Sequence, residues 1–229
     1  MRPILLFACA ALVAACGSSN DKSGGAAGGP TGDDDSGTGP DDTSPPPPTI
    51  VDGYPVGPFG FVTGQVFPNV TLQGYVGGTG PWTTISTKDY FDPDGSKGIN
   101  GLMITIGAPW CAGCTAEGAS LPSLYASKYQ ALGARFLSAI VQDASSAPAT
   151  QATVDAWVKS YKTNYDIAAD PDLLTVHLEG SGGGGSLPLP YDYVIDPRTM
   201  RITAIDAGIA SYGATIPGLD PLLKKNGGG

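Results

Sequence analysis

Two cysteines three positions apart, in the run Trp110-Cys111-Ala112-Gly113-Cys114, are the residues of this 229-residue chain whose types and spacing could do chemistry. Thiols so spaced can close a small disulfide and open it again. A crosslink stabilises mainly by restricting the unfolded chain, and so short a loop restricts little. A structural staple therefore explains the pair poorly, and reversible redox chemistry explains it well. The other cysteines, Cys9 and Cys16, belong to the leader region. In the mature domain Cys111 and Cys114 are left to pair with each other or with another molecule.

The elements that must position the pair can be read from the flanking residues. Gly101 to Gly107 is a buried strand, and a helix follows from about Thr115 to Leu132. In that helix Leu121, Leu124, Tyr125, Tyr129 and Leu132 recur at spacings of three and four. A cysteine at this junction lies at a helix N-terminus, where unpaired N–H groups and the helix dipole favour negative charge. The thiolate is the attacking species. Cys111 therefore reads as the exposed nucleophile, and Cys114, one turn in, as the buried resolving thiol. Trp110 would cover the disulfide and present a flat apolar surface to a partner. Glu117 has two readings: a solvated helix residue, or a carboxylate beneath the pair that relays a proton to or from Cys114.

Further along, residues 134–141 form the next strand and 151–165 an amphipathic helix with Val154, Trp157, Val158 and Tyr161 inward. Residues 191–195 and 201–205 are strands joined by the turn Asp196-Pro197-Arg198-Thr199, and 219–225 is a short closing helix. Upstream, 51–98 reads as short strands and turns, with Val70-Thr71-Leu72 and Thr83-Thr84-Ile85 candidates to pair. The order predicts an α/β, thioredoxin-like fold: a central mixed β-sheet flanked by helices, with an N-terminal β-rich extension.

The chain begins with Met1-Arg2-Pro3 and an apolar run of twelve residues, 4–15. That run is shorter than the roughly 20 residues a membrane-spanning helix needs. It ends in Val13-Ala14-Ala15-Cys16, which resembles a bacterial lipobox. The resemblance implies cleavage before Cys16 and a lipid on Cys16; an ordinary secretory signal is the alternative. Residues 16–49 are Gly, Ser, Asp and Pro-rich, with Asp33-Asp34-Asp35 and Pro45-Pro46-Pro47-Pro48. Such a segment cannot bury enough apolar surface to offset its ordering entropy, so it reads as a disordered tether, stiffened by its prolines. The expected organisation is a signal peptide at 1–15, a lipidated tether at 16–49 and one thioredoxin-like domain at 50–229. The expected location is the periplasmic side of a bacterial cell envelope, with the outer membrane favoured by Gly17, which stands where an inner-membrane retention signal has aspartate. Export also permits disulfides.

Net charge is −9. Six acids and two bases precede Val51, and fifteen acids and ten bases follow, a net −5 for the domain. No basic stripe is present, which argues against a nucleic-acid partner.

A family resemblance rests on Trp110 to Glu117 (WCAGCTAE) and on Pro190-Tyr191-Asp192-Tyr193-Val194-Ile195-Asp196. Both are similar to membrane-tethered thioredoxin-like proteins of the TlpA and ResA type, over roughly residues 60–225. In that family a glutamate follows the second cysteine by three, where Glu117 stands. The family's proline, cis and facing the Cys-x-x-Cys pair, matches Pro190. The resemblance implies that Leu189 and Pro190 shape a substrate groove, the Leu189 backbone pairing with an extended peptide. It implies a thiol–disulfide oxidoreductase acting on protein thiols or disulfides, with a membrane electron donor among its partners. No bound cofactor or metal is expected, because the dithiol carries the electrons. The competing class is a non-enzymatic binding lipoprotein, for metal delivery or partner docking.

Some residues depart from the family pattern. Ala119 stands where a helix-bending proline is frequent, and Pro122 comes three residues later, so the kink would move. Ala112-Gly113 has neither the proline of reducing thioredoxins nor the histidine of strong oxidants. The glycine-rich run at 180–186 should be a mobile loop near the site. Ile104 and Ala108 occupy the places where peroxiredoxins carry proline and threonine before the reactive cysteine. His177, the single histidine, reads as a surface or core-edge residue. Asp92-Pro93-Asp94-Gly95-Ser96 reads as a turn, because it contains proline and lacks the last glutamate of a calcium loop.

Overall fold

Gly101–Gly107 is apolar on both faces except at Thr105, and it becomes the interior strand β5, buried at every residue. A strand covered on both sides reads as a continuous apolar run. The computed structural model describes residues 47–172, 188–208 and 211–227. Outside them lie Cys16 with the leader, most of the tether, His177 and the glycine-rich run.

Strand β5 pairs in parallel with β6 (Ala134–Ile140) and antiparallel with β8 (Tyr191–Asp196). Before these come a small ladder of β1 (Ile50–Val51) with β2 (Tyr54–Pro55), then β3 (Thr71–Tyr75) and β4 (Thr83–Ser86). With β7 (Asp166–Ala169) and β9 (Arg201–Ala207) they complete a seven-stranded sheet in the order β4-β3-β7-β6-β5-β8-β9. The expected pairing of Leu72 with Ile85 is present. The upstream hairpin is no separate appendage, because Tyr75 pairs with Ile167 and makes β3–β4 the edge of the main sheet.

Among the described residues three α-helices flank the sheet: α1 (Ala112–Leu124), α2 (Gln151–Tyr161) and α3 (Leu219–Lys225). Helix α1 begins earlier than its apolar spacing suggests. Past Pro122 it opens into a π-helical turn over Tyr125–Tyr129, with Gln130 N–H donating to Tyr125 O at 2.9 Å. The displaced proline thus marks where α-helical geometry ends. Helix α2 stops at Tyr161, because Lys162 adopts a left-handed conformation, leaving Tyr165 free of the helix to enter the core.

One sheet face packs Leu102, Ile104 and Ile106 against Phe67, Tyr193 and Ile195. The other packs Met103 and Val194 against Leu121, Tyr125 and Tyr129 of the first helix and Leu219 and Leu223 of the last. Each such side chain stabilises the fold by about 1.5–3 kcal/mol. A third cluster sets Val154 and Trp157 of α2 against Cys111 and Cys114. Gly118 allows it: a Cβ there would stand 2.6 Å from the Trp157 ring. Among the described residues no helix is long and apolar enough to cross a membrane.

Asp92-Pro93-Asp94-Gly95-Ser96 forms a turn. The Asp92 carboxylate accepts from the N–H groups of Lys97 (3.1 Å) and Ile99 (2.9 Å) and pairs with Arg198 at 3.0 Å. Those bonds occupy it structurally.

Candidate active site

The chain leaves the buried end of β5 at Gly107 and turns at once into α1, with Cys111 as the helix N-cap. Cys111 has extended backbone, and its Sγ accepts from the Cys114 N–H at 3.1 Å. An N-cap side chain normally satisfies one of the orphan donors of a helix start; here a sulfur does so. Cys111 and Cys114 are joined by a disulfide, with their Cα atoms 5.2 Å apart. The expectation of an exposed Cys111 needs correcting for this oxidised state. It keeps 7% of its surface and Cys114 1%, because Trp157, Val154 and Ile140 close over them. Cys111 is still the more accessible of the two.

Trp110 stands 48% exposed, and its indole N–H donates to Gln142 Oε1 at 3.0 Å. The Leu189–Pro190 peptide is cis. Leu189 is partly buried against the cluster that holds both cysteines. Pro190 is buried, and its carbonyl accepts from Gly208 N–H at 2.7 Å, which ties the approach to β8 onto the end of β9. A cavity of about 450 Å³ opens beside Pro109, lined by Asp143, Thr150, Thr153, Trp157 and Tyr161. The fold thus brings the cysteines, Leu189 and the Trp157-lined cavity to one region of the molecule.

Glu117 is buried, at 2% exposure, which rules out the reading of a solvated helix residue. It lies one turn beyond Cys114 on α1, and the Thr105 hydroxyl donates to its Oε2 at 3.3 Å. Thr105 is the register partner of Asp192 on β8. Asp192 is 1% exposed and accepts from the Tyr212 hydroxyl at 2.6 Å. Burial, then the charge of Asp192, pushes the Glu117 carboxyl far above the ordinary range, which favours its protonated form. Burial also raises Asp192, against the hydrogen bonds from Tyr212 and Glu117. A neutral acid one helical turn from a buried thiol can give and take a proton.

Asp192, Thr105 and Tyr212 escape a reading that follows the chain from the cysteines. The available signal is compositional: Thr105 and Asp192 are polar residues inside otherwise apolar strands. That they meet depends on the β5–β8 register.

The sequence pattern of the AhpC/TSA family matches residues 63–204. No curated protein matches the sequence. Among solved structures the chain is similar to a Chlorobium tepidum protein assigned as thiol:disulfide interchange protein DsbE. Identity is 18%, 72% of this chain and 97% of that one are covered, and the TM-score is 0.51. It is also similar to a secreted thiol-disulfide isomerase of Corynebacterium glutamicum, at 19% identity, covering 70% and 86% with a TM-score of 0.50. A hypothetical protein of Sinorhizobium meliloti matches at 18% identity, covering 74% and 88% with a TM-score of 0.52. At these identities the likeness concerns the fold, which is thioredoxin-like as expected.

Proposed function

We propose that this chain, which belongs to the AhpC/TSA family, is an exported, lipid-anchored thiol–disulfide oxidoreductase acting on protein thiols or disulfides. The observation that carries the reading is the disulfide at the start of α1, with Cys111 as N-cap and Leu189 packed against the cluster that holds both cysteines. Helix-start N–H groups favour a thiolate on Cys111 once the disulfide opens. That thiolate attacks a sulfur of the substrate disulfide and forms a mixed disulfide, and the other substrate sulfur leaves as a thiolate. Cys114 then loses its proton and attacks Cys111 Sγ, which restores the Cys111–Cys114 bond and releases the second substrate thiol. The reverse sequence oxidises a substrate dithiol. Leu189, Pro190 and the exposed face of Trp110 hold the substrate chain, and Glu117 exchanges the proton of Cys114. The electrons reside in the sulfurs, so the scheme uses no bound cofactor.

The Val13-Ala14-Ala15-Cys16 run supports the anchor, with the lipid on Cys16 as the membrane attachment and a membrane protein as electron donor. The secreted isomerase among the similar structures agrees with a location outside the cytoplasm. Trapping tests the activity. Cys114→Ser, once reduced, should accumulate a mixed disulfide between Cys111 and a peptide disulfide, and Cys111→Ser should not. Failure of Cys114→Ser to form the adduct, or undiminished exchange by Cys111→Ser, would falsify the reading.

A further inference from the structure

The acids behind Cys114 extend beyond what one relay requires. Glu117 from α1, Asp192 from β8 and Asp206 from β9 converge there. Glu117 and Asp192 each have one hydroxyl donor, Thr105 and Tyr212 respectively. Their other oxygens, Glu117 Oε1 and Asp192 Oδ1, have no other donor among the described residues. Thr105, whose hydroxyl reaches Glu117, is the register partner of Asp192, so both carboxyls stand beside it, and the charge of Asp192 raises Glu117. Two ionised carboxylates supply no donor, so a bond between them requires a proton. Asp206 also acts on Asp192, both acids act on the Tyr165 hydroxyl, and no cation is among the groups that shift either acid. Among the described residues no cluster of acids is arranged to hold a metal ion. Asp206 lies directly opposite Asp192 in the β8–β9 register; it is half-buried as a residue, with its Oδ2 enclosed.

We propose that Asp192 shares one proton with Glu117, and that Asp206 links this pair to solvent, so that the three acids form the route by which the Cys114 proton leaves and returns during disulfide exchange. The inference rests on the redox reading of Cys111 and Cys114. As Cys114 attacks, its S–H proton passes to Glu117 and the shared proton moves fully onto Asp192. The sulfur's electron pair forms the Cys111–Cys114 bond, and the substrate thiolate departs with the electrons of the mixed disulfide. The pair, now holding two protons, returns one to water through Asp206. Asp192 and Asp206 are positioning residues that act through Glu117.

The test follows the reduced full chain reacting with an aromatic disulfide whose released thiolate absorbs visible light. Attack by Cys111 releases the first thiolate, and resolution by Cys114 releases the second. Asp192→Asn should slow the second release at least tenfold near neutral pH, out of proportion to any change in the first, and the deficit should shrink as pH rises. Asp206→Asn should slow the second release several-fold, and a small carboxylic acid added to the buffer should restore it. Wild-type ratios and pH profiles in both variants would overturn the route while leaving the redox pair standing. Absence of both releases in the wild type would overturn the redox reading itself. Infrared spectra of the wild type add a check independent of the variants' folding. A carboxylic acid C=O band at neutral pH that shifts on reduction is expected, and its absence overturns the shared proton.

Discussion

At one end of β8, Asp196 meets Lys225 at 3.0 Å and Asn226 at 3.1 Å. Nearby, fully buried Asp92 meets Arg198 at 3.0 Å and two backbone N–H groups. At the other end, four residues and about 13 Å away, Asp192 and Glu117 are equally buried beside hydroxyls and a third acid, Asp206, with no cation bonded to them. A buried charge is tolerable when paired and hydrogen-bonded, and otherwise the group shifts its pKa and neutralises. The first arrangement fixes the turn between β8 and β9. In the proposed scheme the second keeps a proton in store beneath a disulfide. The same residue type then holds the fold at one pole and would serve chemistry at the other.

The comparison breaks first at the cysteines. Cys111→Ser should abolish disulfide exchange, measured as turnover of a peptide disulfide, while the pole around Asp92 and the overall fold are unaffected. Arg198→Met attacks the opposite pole. It leaves Asp92 buried without its cation, and loss of one partner of a buried pair costs about 3–5 kcal/mol. Urea unfolding should show that loss, and the protein still folded should keep its rate of thiol exchange per molecule.

Glu117→Gln sharpens the contrast through pH. The folded-state pKa of Glu117 is raised above its unfolded value of 4.5, so the folded state holds a proton that the unfolded chain gives up. Its favourable contribution is complete below about 4.5 and drains away as pH rises toward the raised value. Stability therefore falls with rising pH, by up to about 1.4 kcal/mol per unit for one proton. Between about pH 5 and pH 8 the wild type should lose stability relative to Glu117→Gln in urea unfolding. A difference that stays constant or runs the other way would show that no proton is stored there. Trp110→Ala should have the smallest effect. The ring is 48% exposed, so stability should change by no more than about 0.5 kcal/mol. Exchange with a protein disulfide should slow a few-fold more than exchange with a small-molecule disulfide.

How much of this was legible in the sequence depended on how local the signal was. The cysteine pair, the strand before it and Pro190 at the head of β8 announce themselves within short windows, as does the Leu72–Ile85 pairing. Strand β7 did not: Asp166–Ala169 has two alanines and no alternation, and it is a strand because β6 and β3 pair on either side of it. The end of α1 is hidden in the sequence because Tyr125 and Tyr129 keep a helical spacing through the π turn. The burial of Cys111 comes from Trp157, forty-six residues on, packing over Gly118. The carboxyl pair needs the β5–β8 register to bring Thr105 opposite Asp192, which no local periodicity specifies.

The central claim, that Cys111 and Cys114 form a redox pair with Cys111 as nucleophile, is tested most directly by alkylating the reduced protein across pH and mapping the modified residue. The account predicts modification at Cys111 with an apparent pKa below the roughly 8.5 of a free cysteine, and Cys114 protected until Cys111 is blocked. Two unreactive thiols, or Cys114 reacting first, would contradict it.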